Sequence, residues 1–173
     1  IHYVHNALGD SQTDPSAFGG LSPLGKDAIR EASRLGMMVD VAHAGFDTAS
    51  QMADLTGKPI VLSHTMMKYR SAKHGSYLEN RPRWISRDYA FLVAQTGGVI
   101  GTWTVGEPYG VKDAPAFAEA VVKLVDTVGI DHVGWSTDYI QFAMPDWFNS
   151  YEGFATLCAG LLDAGFSDSD LIK

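Results

Sequence analysis

Residues 37–64 read MMVDVAHAGFDTASQMADLTGKPIVLSH. Two short apolar runs in this segment, one ending at His43 and the other at His64, have the length and β-branched character of buried strands. Residues 47–55 between them have the pattern of a helix, which Gly57 ends. A strand, a helix and a strand at this spacing predict a βαβ unit with parallel neighbouring strands. We therefore expect the two histidines at the same edge of the sheet, where α/β folds place their active sites.

The rest of the chain repeats this alternation of strands and helices. Further strands are predicted over Tyr3–His5, Val99–Trp103 and Asp131–Asp138. Further helices are predicted over residues 23–35, 88–95, 114–128 and 151–164. Repeated strand–helix units favour a parallel sheet. Four of the five predicted strands end in an ionisable residue: His5, His43, His64 and Asp138.

This pattern favours a TIM-type (β/α)8 barrel over a doubly wound sheet. Catalytic groups of such barrels come from the C-terminal ends of several strands. A doubly wound sheet would show a Gly-rich phosphate turn after its first strand, and this sequence has none. A complete barrel takes about 250 residues. We interpret residues 1–173 as one partial domain, the C-terminal portion of a barrel, with about five βα units and without the N-terminal strands.

Charge and composition exclude several classes of partner. The formal net charge of −7 argues against nucleic acid and against anionic membrane surfaces. No apolar run approaches the roughly 20 residues of a transmembrane segment. The single cysteine, Cys158, cannot form an internal disulfide, so the cysteine content indicates neither an oxidising nor a reducing compartment. The missing strands would leave an exposed flank, which predicts contact with an N-terminal barrel segment or with a second copy of the chain.

The residues at the strand ends suggest metal-assisted hydrolysis. Neutral imidazole is a common zinc ligand, so His43 and His64 on adjacent strands can reach one ion together. Asp138, at the same edge, can accept a proton from a metal-bound water. His5 can donate a hydrogen bond to the oxygen that becomes negative when water attacks a carbonyl. Arg83, in the loop after the second ligand strand, can bind a substrate carboxylate.

A structural role competes with each of these functional roles. A histidine that ends a buried strand is often a hydrogen-bonded rim residue, although three at matching positions favour the metal site. Asp138 can cap the turn after its strand, and Arg83 can be one more solvated cation in a basic loop. Trp103 is interpreted as a packing residue. His132, at the start of the last strand, is interpreted as structural.

The sequence resembles the renal dipeptidase (membrane dipeptidase) family of zinc peptidases, within the amidohydrolase superfamily. The resemblance is carried by Gly19–Gly25 (GGLSPLG), Val39–His43 (VDVAH), Pro59–His64 (PIVLSH) and Asp131–Gly134 (DHVG). These runs occur in the family's order through nearly all of the chain. Each run is short, but their combination is specific.

The resemblance implies a (β/α)8 barrel that hydrolyses dipeptides with a zinc-activated water, with two zinc ions in the complete enzyme. His43 and His64 would be ligands of one of these ions. His5 would match the histidine that steadies the tetrahedral intermediate. Arg83 would match the arginine that holds the carboxylate of the dipeptide, and Asp138 the acid beside the metal-bridging water.

Two departures from the family pattern concern the substrate. Trp84 stands where the family has Asn, and Tyr139 begins a stretch where the family has an Asp-Gly pair. These changes leave open a related amidohydrolase that acts on another amide, a lactone or an ester. The family's first-strand His-x-Asp motif and its bridging glutamate have no counterpart in this sequence, which leaves open an inactive fragment or a binding module.

Overall fold

A parallel sheet lies at the centre of the computed structural model, which describes residues 6–71, 83–105, 111–139 and 144–173. Its strands are β1 (Val61–Met67), β2 (Trp84–Ile85), β3 (Val99–Trp103) and β4 (Val133–Ser136). Their spatial order is β2-β1-β3-β4, and each neighbouring pair is parallel. The carboxyl ends of these strands therefore meet at one edge of the sheet, as the sequence predicts.

The five longer helices correspond to those predicted, whereas β2 is a short strand that the sequence pattern does not predict. The described residues contain α1 (Pro23–Arg34), α2 (Phe46–Thr56), α3 (Arg87–Gln95), α4 (Ala114–Val128), α5 (Gly153–Asp163) and α6 (Asp168–Leu171). They also contain two short 3₁₀ helices, Ile130–His132 and Asp146–Phe148. None of the helices in these ranges has the length and apolar character that a bilayer crossing requires.

Capping residues that can be recognised in the sequence set the helix ends. The Ser22 side chain accepts a hydrogen bond from the Gly25 N–H, and Pro23 occupies the first helical position of α1. Ser86 caps α3 in the same way. Gly57 ends α2 with a φ of 56°, in the left-handed region that glycine adopts without steric cost.

The predicted strand that ends at His43 is reduced to a single parallel bridge between Asp40 and Val61. Its predicted neighbour and direction are confirmed, but its length is wrong. The reason is the Asp40 side chain, whose Oδ1 accepts the backbone N–H groups of Ala42 at 2.9 Å and Ser63 at 3.1 Å. A side chain that binds nearby backbone N–H groups competes with a regular strand ladder.

The strand predicted to end at His64 continues to Met67, so His64 lies in mid-strand. The register between β1 and β3 shifts between Leu62 and Thr65, on either side of this histidine. Such irregularities re-aim side chains and are frequent beside active sites. The register shift explains why the His64 side chain points to the functional edge although the residue lies in mid-strand.

The helix α1 does not bury the whole apolar face that its sequence pattern predicts, which comprises Leu24, Ala28, Ile29, Ala32 and Leu35. Leu24 and Leu35 are 57% and 58% exposed, while Ile29 and Ala32 pack against the core. The helix packs mainly on α2 and not on the sheet, so its buried stripe is narrow. The predicted strand Tyr3–His5 lies outside the described residues.

Gly101 in β3 leaves no room for a side chain. A Cβ there would overlap the Ser63 carbonyl oxygen and lie 2.9 Å from Ser136 Cβ, in the two neighbouring strands. We expect Gly101→Ala to lower the free energy of unfolding by about 2–3 kcal/mol in urea titrations of the complete protein. Gly134→Ala in β4 is the matched control, because its Cβ would meet nothing closer than Val99 Cγ1 at 3.4 Å. Equal destabilisation by the two substitutions would contradict this account.

Candidate active site

Two buried imidazole rings form the centre of the candidate site. The Nε2 atoms of His43 and His64 lie 3.1 Å apart, and their ring centroids are 5.0 Å apart. The two residues are 6% and 8% exposed. At this distance the two Nε2 atoms cannot both carry a hydrogen that points at the other, so at least one of them presents a lone pair to its neighbour. The structure thus brings together the two histidines that the sequence predicts as metal ligands.

A strained turn places His43. Its φ is 66°, a left-handed conformation that is uncommon outside glycine. The Tyr89 hydroxyl holds the turn by donating to the carbonyl oxygens of Val41 at 3.2 Å and Ala44 at 3.0 Å. Burial, reinforced by the nearby Asp40 carboxylate, raises the pKa of Tyr89 far above its usual value. The hydroxyl therefore remains a proton donor at neutral pH.

The second imidazole is oriented by its neighbours in the sheet. Nδ1 of His64 lies 2.9 Å from the Ser63 hydroxyl, and the Trp103 ring packs against the imidazole with centroids 5.4 Å apart. When Nδ1–H donates to that hydroxyl, Nε2 presents its lone pair to the site. A partner on the second nitrogen is the usual device that fixes the tautomer of a ligating histidine.

A carboxylate from the end of β4 completes the cluster. Asp138 Oδ2 lies 3.4 Å from His64 Nε2, and the side chain of Asp138 is half-buried. Its φ is 42°, which is also left-handed. The indole N–H of Trp103 donates to the carbonyl oxygen of Thr137 at 2.9 Å, so it fixes the residue before the acid. The predicted acid therefore lies beside one predicted ligand.

Arg83 is buried, with 6% of its surface exposed, so its interpretation as a solvated loop cation is wrong. Its NH1 group donates to Gln12 Oε1 at 3.1 Å. Its guanidinium carbon lies 5.5 Å from the centre of the Trp103 ring, close enough for a cation–π contact. The same indole also packs on His64, so Trp103 contacts both the guanidinium and one imidazole of the histidine pair.

Residues 10–20 form a loop that reaches the site through Gln12. The backbone N–H of Gln12 donates to the His43 carbonyl oxygen at 2.7 Å. The Asp10 carboxylate organises the loop by accepting hydrogen bonds from Ser16, Ala17, Phe18 and Gly20. Burial acts to raise the pKa of Asp10, but these hydrogen bonds outweigh it and hold the pKa well below its usual range.

Sequence reasoning missed three residues that shape this site. The only sequence signal for Trp103 is its position at the end of β3, at the functional edge. Gln12 and Tyr89 have no sequence signal, because their roles depend on tertiary contacts. His132 has the structural role predicted for it, with Nδ1 at 2.8 Å from the Gly98 carbonyl oxygen. His5, the predicted oxyanion residue, lies outside the described residues.

The histidine pair has the donors and the spacing that a metal ion needs. A tetrahedral zinc ion bound at about 2.0–2.1 Å by two imidazoles holds their nitrogens about 3.3 Å apart, and the observed Nε2 separation is 3.1 Å. Within the described ranges, no three or more His, Cys, Asp or Glu side chains form a group arranged to hold a metal ion. His43 and His64 therefore have the spacing of two ligands of one ion.

Proteins named as dipeptidases match nearly the whole chain. An uncharacterized dipeptidase, C3A11.10c, from Schizosaccharomyces pombe is 35% identical over 179 residues, which cover 98% of this chain and 41% of the relative. Dipeptidase aclJ from Aspergillus oryzae is 26% identical over 178 residues, which cover 99% of this chain and 40% of the relative. The chain thus spans about two fifths of the length of these relatives.

Solved structures with the same fold carry related names. The probable dipeptidase PvdM from Pseudomonas aeruginosa superposes with a TM-score of 0.85 at 23% identity, over 99% of this chain and 57% of that one. A metallo peptidase from Rhodobacter sphaeroides, liganded with a phosphinate mimic of the dipeptide L-Ala-D-Ala, gives 0.79 at 18% identity, over 95% and 48% of the two chains. The parallel sheet and its helices are part of a (β/α)8 barrel, as predicted.

The family comparison covers the full sequence. The family described as membrane dipeptidase (peptidase family M19) matches residues 1–173. This match agrees with the resemblance of the histidine-bearing runs. The chain belongs to the membrane dipeptidase family of metallopeptidases, peptidase family M19.

Proposed function

We propose that this chain carries part of the active site of a zinc-dependent dipeptidase. The observation that carries the proposal is the cluster of His43 Nε2, His64 Nε2 and Asp138 Oδ2, separated by 3.1 Å and 3.4 Å at the carboxyl edge of the sheet. Family membership supports the reaction class. The Rhodobacter sphaeroides relative, liganded with a dipeptide mimic, supports the substrate class.

His43 and His64 would hold one of two zinc ions of the complete enzyme. The chemistry supplied by a metal held there is the activation of water for attack on a carbonyl carbon. Both imidazoles are buried, so their lone pairs meet little competition from solvent. The Ser63 hydroxyl and the Tyr89-supported turn fix the two rings before the metal binds, which lowers the cost of ordering them.

Asp138 is the residue we assign to proton transfer. Its carboxylate faces the histidine pair, and the side chain is still partly open to solvent. It can accept a proton from the attacking water and return it to the amine that leaves. We assign stabilisation of the developing oxyanion to His5 on the family resemblance alone.

Arg83 is the residue we assign to the free carboxylate of the substrate. A guanidinium binds a carboxylate through two parallel hydrogen bonds, and the interaction is strongest where water is excluded. Arg83 is buried beside Trp103, and the same indole packs against His64. A dipeptide with its carboxylate at Arg83 would direct its peptide bond toward the histidine pair.

A second candidate is hydrolysis of another amide, a lactone or an ester at the same centre. One observation favours it: Tyr139, directly after Asp138 in sequence, is 57% exposed, in the stretch where the family has an Asp-Gly pair. A bulky side chain at this position changes which substrates can approach the acid. Relative rates on dipeptides, lactones and esters separate the two candidates.

Replacement of either proposed ligand should abolish metal-dependent hydrolysis. In the complete enzyme we expect His43→Ala or His64→Ala to lower zinc content and to reduce kcat/KM for dipeptides by at least about 100-fold. Elemental analysis and a dipeptide hydrolysis assay measure these effects. His132→Ala is the matched control, because that imidazole contacts the Gly98 carbonyl oxygen outside the cluster. Near-normal zinc content and turnover in either ligand variant would reject the assignment.

The assignment of Arg83 predicts a loss that depends on the substrate. We expect Arg83→Ala to reduce kcat/KM for dipeptides by about 10- to 100-fold, because a charge-assisted pair contributes about 1.5–3 kcal/mol. The C-terminal amides of the same dipeptides should change little. Arg30→Ala, which removes an exposed arginine paired with Asp27, serves as the control. An equal loss on acids and amides would contradict the carboxylate role.

Tyr89 should influence metal affinity without touching the metal. Tyr89→Phe keeps the ring but removes the hydroxyl that holds both carbonyls of the His43 turn. We expect zinc affinity, measured by competition with a chelator, to fall about tenfold, as for other supporting contacts of metal ligands. Tyr151→Phe, at a residue 89% exposed, is the control. Unchanged zinc affinity in Tyr89→Phe would show that the turn needs no such support.

A further inference from the structure

We propose that Gln12 is a positioning residue that sets the preference of the site for ligands with a free carboxylate. The inference rests on the proposed function, because it takes Arg83 as the carboxylate receptor. Gln12 would hold the guanidinium in register with the histidine pair. Its neutral amide would do so without cancelling the positive charge that the ligand recognises.

Gln12 contacts two separate parts of the site. Its backbone N–H donates to the His43 carbonyl oxygen at 2.7 Å. Its side-chain Oε1 accepts from Arg83 NH1 at 3.1 Å. A residue distant in sequence from both thus fixes the spacing between the proposed metal ligand and the proposed carboxylate receptor.

The position of Gln12 is set by contacts that do not involve its side chain. The Asp10 carbonyl oxygen accepts from the Thr48 hydroxyl at 2.9 Å and from the Gly45 N–H at 3.1 Å, at the start of α2. The Asp10 carboxylate binds the other end of the loop through Gly20. The loop is therefore anchored before the Gln12 side chain makes any contact, so a substitution there can change the site without removing the loop.

The charge of the side chain at position 12 bears on how Arg83 binds a ligand. An amide oxygen satisfies a guanidinium N–H but carries no formal charge. A carboxylate at the same place would form an ion pair with Arg83 and would compete with the ligand for it. Glutamate and glutamine have nearly the same shape, so position 12 can tune the charge at Arg83 with almost no change in packing. Position 12 is glutamine, and this neutral side chain suits a site that recognises an anion.

Binding measurements on the zinc-loaded complete protein test the proposal independently of turnover. The probes are the phosphinate mimic of L-Ala-D-Ala and its C-terminal amide, titrated by calorimetry. We expect Gln12→Glu to weaken binding of the acid about tenfold or more while binding of the amide stays within about twofold. Zinc content should not change, since the backbone N–H to His43 is retained. Gln95→Glu adds the same charge at an exposed residue of α3 and is the matched control.

A second variant separates charge from positioning. Gln12→Met removes the acceptor of the Arg83 hydrogen bond but adds no charge. We expect a loss of only about two- to fivefold for the acid, smaller than that of Gln12→Glu, with no change for the amide. This ordering of the two variants supports the proposal even if one of them folds less well than the parent.

The outcomes distinguish this inference from the proposed function. If the parent protein prefers the acid, Gln12→Glu abolishes that preference and no dipeptide is hydrolysed, the inference stands and the dipeptidase activity fails. If Gln12→Glu weakens the acid and the amide equally, or neither, the inference is overturned. If the parent protein does not discriminate the acid from the amide, the inference is likewise overturned, because Arg83 then receives no carboxylate.

Discussion

The separation of 3.1 Å between the Nε2 atoms of His43 and His64 is the constraint on which the rest of the site depends. Each buried imidazole contributes to the pair only when the other ring is in place. The two chain segments that carry the rings must therefore be positioned precisely relative to each other. The parallel bridge between Asp40 and Val61 sets the distance between the two chain segments. The register shift within β1 then sets the direction of His64. A slip of one residue in either segment would turn a ring to the other face of the sheet.

Backbone strain accompanies this arrangement. Among the described residues, the non-glycine positions with positive φ are His43 and Asp138, both members of the cluster. Such conformations persist only where the surroundings over-determine them. Tyr89 supplies that constraint at the first position, through two carbonyl oxygens, and Trp103 supplies it beside the second, through Thr137. The aromatic residues thus act on the site through hydrogen bonds as well as through packing.

Local signals made the helices and their order predictable. Ser22 and Ser86 cap their helices through their own side chains, and Gly57 ends α2 through its own φ, so each is legible within a few residues. The placement of His43 is different, because the Asp40 side chain interrupts the expected strand ladder by accepting hydrogen bonds from Ala42, two residues on, and from Ser63 in the neighbouring strand. The contact between Gln12 and Arg83 joins residues 71 apart in sequence, and no periodic pattern encodes it.

The two departures from the family pattern fall in different environments. Trp84 is 1% exposed and belongs to an apolar cluster with Met66 and Trp103, so its bulk is absorbed by packing beneath the site. Tyr139 is 57% exposed, and its hydroxyl donates to the Asn149 carbonyl oxygen at 3.4 Å. A buried substitution changes substrate choice only by moving its neighbours, whereas an exposed side chain beside the acid can meet the substrate directly. Of the two departures, Tyr139 is the one whose side chain is open to solvent, next in sequence to Asp138.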